Sequence, residues 1–118
     1  MIDNTNIQCY TPQTGGLNFP FVATVGDNNW HHIAVVGNST SFILYVDGIA
    51  LGTQTFPSKS SFGGNVSNAC IGQDFDPTGT TGETFPGQIR RVGMWSKALS
   101  ATEIATLAAS YTHVYVGN

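Results

Sequence analysis

Charge is what this chain has least of. Only 9% of its 118 residues are Asp, Glu, Lys or Arg, four of them basic, and the net charge is -3. Binding nucleic acid by neutralising phosphates requires a basic stripe. Arg90-Arg91 is the single basic pair, and neighbours on a strand point to opposite faces, so nucleic-acid partners are not expected. No apolar run approaches the roughly 20 residues of a membrane-spanning helix, so membrane insertion is not expected. Met1 is followed by Asp3 and Asn4, not by the basic and apolar regions of a secretory leader. Cysteine is limited to Cys9 and Cys70. They read either as one disulfide tying an early strand to a late one or as two buried thiols acting as small apolar residues. Neither has a second Cys or His at ligand spacing, which disfavours a thiolate metal site. No internal repeat is visible.

What is abundant is Asn, Gly, Ser and Thr around short apolar runs, a composition that suits an extracellular, cell-surface or virion-surface β-protein. Trp30 to Val36 and Phe42 to Val46 flank the polar spacer 37–41, and Asp47-Gly48 follows before Ile49. Runs of that length cut by turn residues are strands. Asp-Gly between them predicts a two-residue type I′ hairpin, whose positive φ angles glycine supplies freely. Further strands are expected at Ile7–Tyr10, within 17–25, at 51–56, at 69–72 and at Gln88–Trp95, with 112–116 as a closing strand. Ala101–Ser110 is the one expected helix. Ser100 is its N-cap and Glu103 completes a capping box, while Leu99 and Ile104 stand at the staple positions. Ile104, Leu107 and Ala108 form its apolar stripe. A short helix against many strands makes an all-β antiparallel sandwich, one domain over 1–118.

Four blocks in this order resemble a known family: Trp30-His31-His32-Ile33-Ala34-Val35-Val36; Leu44-Tyr45-Val46-Asp47-Gly48; Ile71-Gly72-Gln73-Asp74; and Phe85-Pro86-Gly87-Gln88-Ile89-Arg90-Arg91-Val92-Gly93-Met94-Trp95 with Ala98-Leu99-Ser100. They look like laminin-G-like and pentraxin-like domains of the concanavalin A-like jelly-roll superfamily, and they cover most of residues 30–110. Each block is weak alone; together they are fairly specific for the fold. Fold does not dictate function, since the same sandwich carries lectins, adhesion modules and glycanases. Compared with that family the chain is short at its N-terminus, as if the first strands were missing. Uncovered edges and apolar faces then imply self-association into a homodimer or higher homo-oligomer.

The chemistry concentrates in Gln73–Glu83, which holds three of the seven carboxylates, Asp74, Asp76 and Glu83. Gly-turned loops with clustered oxygens suit calcium, a cation that takes six to eight hard oxygen ligands. Asp74-x-Asp76-x-Thr78-Gly79 imitates the start of an EF-hand loop, but Glu83 comes two residues early. The pentraxin resemblance implies calcium ligands at Asp74, the carbonyl of Phe75, Asp76 and Glu83, with Asp3-Asn4 as an early pair. Phe75 departs from the family pattern, which limits the carry-over to a single site. The alternative is that Asp74 and Asp76 cap turns.

His31-His32 cannot chelate one ion from a strand, because the two rings face opposite sides. The resemblance makes them a fold signature, one ring buried against Trp30, and Asp47 reads as a turn residue. Tyr45 and Trp95 are expected in the core, and Phe75 and Phe85 are the better stacking surfaces for a glycan. A glycanase needs two carboxylates roughly 5 to 10 Å apart across a cleft. Pro77 ends any strand through Asp74 and Asp76, and no Glu sits in mid-strand, so no enzymatic activity is expected. Two functions remain: a non-catalytic recognition module for carbohydrate or protein surfaces with calcium assistance, or a structural self-assembly unit of a larger surface or phage protein.

Overall fold

The computed structural model describes residues 6–11, 15–20, 25–38, 40–55, 71–75 and 81–112. Among these are seven strands, β1 Asn6–Thr11, β2 Gly15–Pro20, β3 Ile33–Gly37, β4 Ser41–Val46, β5 Ile49–Thr55, β6 Gln73–Phe75 and β7 Thr81–Thr84, and the helix α1 Ala101–Thr112. The strands pair as β1-β2, β3-β4-β5 and β6-β7, all antiparallel.

The β4–β5 turn forms as its sequence dictates. Val46 faces Ile49 across the ladder, with Asp47 at φ 50° and Gly48 at φ 82°, the two positive angles of a type I′ turn. The β3–β4 connection is closed by Asn38. Its Oδ1 accepts from the N–H groups of Thr40 and Ser41, each at 2.8 Å, and its own N–H donates to the Ser41 carbonyl at 2.9 Å. Such Asx geometry replaces backbone bonds that a turn leaves unmade. In β5, Ala50 pairs with Tyr45 and Gly52 with Leu44, so Leu51 is an extra, half-exposed bulge residue.

β4 is buried on both faces. Phe42, Leu44 and Val46 lie on one; Tyr45 lies on the other, opposite Ala34. Tyr45, Leu99 and Ile104 form a buried cluster, with Ala34, Val36, Ile43 and Leu107 packed against it. The stripe of α1 thus covers the Ala34–Val36–Tyr45 face. Fully burying Leu44 and Ile104 contributes about 1.5–3 kcal/mol each. The helix also abuts the hairpin turn: a Cβ on Gly48 would stand 3.0 Å from the Ala105 Cα.

The capping box is present. Glu103 N–H donates to Ser100 Oγ at 3.2 Å, Ser100 N–H donates to Glu103 Oε2 at 2.8 Å, and Lys97 Nζ reaches Glu103 Oε1 at 2.6 Å. The helix runs two residues beyond the expected Ser110, to Thr112. The segment expected as a strand, Gln88–Trp95, joins no described ladder, and Ile89, Val92, Met94 and Trp95 are exposed. An apolar pattern alone does not make a strand; a neighbour must also take up its N–H and C=O groups. β3 begins at Ile33 rather than Trp30. The His32 N–H goes instead to a side chain, Asp47 Oδ1, at 2.8 Å. Cys70 and 113–116 lie outside the described residues, so the cysteine pairing and the closing strand do too.

Candidate functional site

The residues approaching β3 are organised by carboxylates. Asp27 accepts from the Asn29 backbone N–H at 2.9 Å and from Asn29 Nδ2 at 2.8 Å. This tight turn puts Asn28 at φ 66°, a conformation Asn tolerates better than most residues. His31 is then gripped at both ends: Nδ1 lies 2.8 Å from Asp47 Oδ2 and Nε2 lies 2.9 Å from Asp27 Oδ1. The hydrogen bond to Asp47, then that to Asp27, holds the imidazole pKa above its ordinary 6.5. Asp27 is held well below the usual carboxylate range by Asn29 first and His31 second. His32 behaves oppositely. Burial pushes its pKa below the ordinary value, and its Nδ1 is buried with no partner among the described residues. Its ring stacks on Tyr111 with centroids 5.4 Å apart, so the packed ring lies against α1, whereas Trp30 is 56% exposed.

An open groove of about 990 Å³ is lined by this strand, by segment 85–99 and by Leu107, Ala108 and Tyr111 of α1. Its lining includes large aromatics. Trp95, expected in the core, is 50% exposed, and Phe85 is 36% exposed. Each ring stands beside a glycine two residues before or after it. A Cβ on Gly93 would stand 2.6 Å from the Trp95 ring, and one on Gly87 would stand 2.7 Å from the Phe85 ring. Residues two apart share a side of extended chain, and only glycine leaves room for a ring there. Arg91 adds a cation, its guanidinium 5.4 Å from the Tyr111 ring centre. Tyr45 is in the core, as its pattern indicates.

Of the residues singled out for calcium, Asp74 and Phe75 fall on β6 and Glu83 on β7. Gln73 pairs with Thr84 and Phe75 with Thr81, so Asp74 occupies the ladder position facing the two-residue stretch Gly82–Glu83. A bulge therefore brings the two acidic positions to one place on the hairpin, where a plain loop was expected. Asp76, Asp3 and Asn4 lie outside the described residues. The Asp27–His31–Asp47 arrangement was not read from the sequence. The available signal was Asp27 four residues before His31, together with an aspartate in the hairpin turn that closes beside it.

A three-stranded antiparallel sheet covered on one face by a capped helix is the framework that comparison with known proteins places in a family. The chain matches the laminin G family model of the concanavalin A-like lectin/glucanases superfamily over residues 2–105, and it belongs to that superfamily. It is 33% identical over 94 residues to the "Sushi, von Willebrand factor type A, EGF and pentraxin domain-containing protein 1" of Rattus norvegicus, and equally to that of Mus musculus. The match covers 74% of this chain and 3% of those much longer relatives. Among solved structures it is similar to an S-layer domain-containing protein (residues 221–444) from Clostridium thermocellum ATCC 27405. The TM-score is 0.58 at 27% identity, over 80% of this chain and 46% of that one. Among the described residues no helix is long and apolar enough to cross a membrane.

Proposed function

We propose that residues 1–118 form one jelly-roll sandwich domain, a non-catalytic recognition module working outside a cell or on a virion surface. It takes a glycan or a protein surface into the groove between β3 and segment 85–99. The observation that carries this reading is the pair of exposed rings lining the groove, Phe85 and Trp95, each standing beside a glycine that leaves room for it. Rings fixed in this way offer apolar faces without losing rotamer freedom on binding. The relatives, one named for its pentraxin domain and one for its S-layer domain, favour an extracellular role.

Calcium would assist through Asp74, the Phe75 carbonyl, Asp76 and Glu83, with Asp3 and Asn4. What supports this reading is the backbone register that sets position 74 opposite 82–83, calcium taking six to eight oxygen ligands. A second reading is self-assembly, with a further copy of the chain as partner in a homodimer or higher homo-oligomer. It is favoured by the run of exposed Ile89, Val92, Met94 and Trp95 along one wall of the groove.

A glycan array probed with and without calcium, beside Trp95→Ala and Asp74→Asn, separates these readings. The module reading expects binding that Trp95→Ala abolishes and that calcium strengthens unless Asp74 is changed. A dimeric mass by light scattering with no glycan bound would replace it with self-assembly.

A further inference from the structure

One imidazole links Asp27, at the start of the loop 27–32, to Asp47 of the β4–β5 turn. The end of the loop is tied to the same turn by the backbone of His32. A neutral imidazole has one N–H donor and one lone pair, whereas both nitrogens of His31 face carboxylate oxygens within 2.9 Å. In the neutral ring one of those contacts would set lone pair against lone pair; the imidazolium donates to both. We infer that Asp27, His31 and Asp47 form a proton-gated latch, closed while His31 carries its second proton and opened on the Asp27 side when that proton leaves.

The asymmetry follows from how each carboxylate is otherwise held. Asp47 Oδ1 also accepts the His32 N–H at 2.8 Å, and the Asp47 N–H donates to the His32 carbonyl at 2.8 Å. Asp47 therefore stays with the turn whatever the charge on His31. Apart from His31, the bonds to Asp27 come from Asn29, on the same loop. Losing the Nε2 proton thus releases the Asp27–Asn29 end of the loop, while its His32 end stays on the hairpin. Among the described residues, Asp27 and Asp47 are the charged groups acting on His31. On α1, Glu103 is engaged by Lys97 and Ser100 and Tyr111 faces His32; from segment 85–99, Arg91 lies over Tyr111. The raised His31 pKa sets the opening on the alkaline side of 6.5.

The loop carries Trp30 along the groove wall. On the reading of the groove as a binding site, the latch makes that wall firmer in mildly acidic surroundings than in alkaline ones. The latch itself needs no ligand, so it is tested without one, and a groove that binds nothing does not affect the result.

The experiment is NMR of the full chain, following the ring nitrogens of His31 and backbone amide exchange from pH 5 to 9. The latch expects both ring nitrogens protonated at pH 6 and a His31 midpoint above 6.5. Amide exchange at Asn29–His31 should accelerate beyond the pH trend of the His32 and hairpin amides once that midpoint is passed. Asp27→Asn should lower the midpoint and make exchange in the loop fast already at pH 6; His31→Gln should remove the extra pH dependence. A neutral His31 tautomer at pH 6, a midpoint that Asp27→Asn leaves in place, or loop exchange that tracks the hairpin at every pH would overturn it.

Discussion

Gly48 holds a position that no other residue fills without cost. Its φ of 82° lies in the left-handed region, and an added Cβ would meet Ala105 Cα at 3.0 Å and Ala108 Cβ at 3.3 Å. Gly48→Ala should therefore destabilise the chain by about 1–3 kcal/mol in urea unfolding, through backbone strain and a displaced helix. Gly93→Ala acts on function instead. It should push the Trp95 ring off the backbone, seen as a shift in tryptophan emission with little change in melting temperature. The adjacent histidines give stability opposite slopes in pH. His31, its pKa raised in the fold, contributes stability that is full below 6.5 and lost as pH rises through its folded value. His32, its pKa lowered, costs nothing above 6.5 and destabilises as pH falls towards its folded value. Their joint contribution therefore peaks near 6.5. Stability curves against pH should lose the alkaline limb in His31→Gln and the acid limb in His32→Gln.

At the scale of elements, α1 depends on its first turn and on one core residue. Ser100→Ala removes the acceptor for the Glu103 N–H and should cost about 1 kcal/mol, read from chemical denaturation. Ile104, 1% exposed between Tyr45 and Leu99, should cost about 2–5 kcal/mol when truncated to Ala. Glu103 is pulled down to about 2, by the Lys97 hydrogen bond first and the Ser100 N–H second. Its contribution is present above the ordinary 4.5 and is lost as pH falls through about 2. Local chemistry made this element legible: a capping box, a staple and an i, i+3, i+4 stripe are all written within ten residues. The hairpin was legible for the same reason, since the turn is set by Asp47 and Gly48 themselves.

At the scale of the whole molecule, the calcium and self-assembly readings make measurable claims. If calcium binds only the folded chain, a concentration of 100 times its Kd adds about 2.7 kcal/mol of stability. A thermal shift with calcium, absent with chelator and lost in Asp74→Ala, is the expected result. A mass by light scattering above one chain, reduced by Met94→Glu on the exposed wall, is what self-assembly requires.

What the sequence by itself determined is local: strands β3 to β5, their type I′ turn, the capped helix and the superfamily carried by four short blocks. These rest on φ preferences, caps and periodicity, which act between neighbours along the chain. Tertiary structure alone decided the rest. Residues 88–95 carry an apolar strand pattern yet lie outside any described ladder, because pairing depends on a neighbouring strand and not on the pattern. Trp95 has core composition yet stands half-exposed in the groove lining beside Gly93. Asp47 reads as a turn former and also clamps His31, sixteen residues earlier, because the hairpin returns the chain beside the loop that Asp27 shapes. A hydrogen bond between distant residues is a fact of where the backbone returns, and no spacing in the sequence states it.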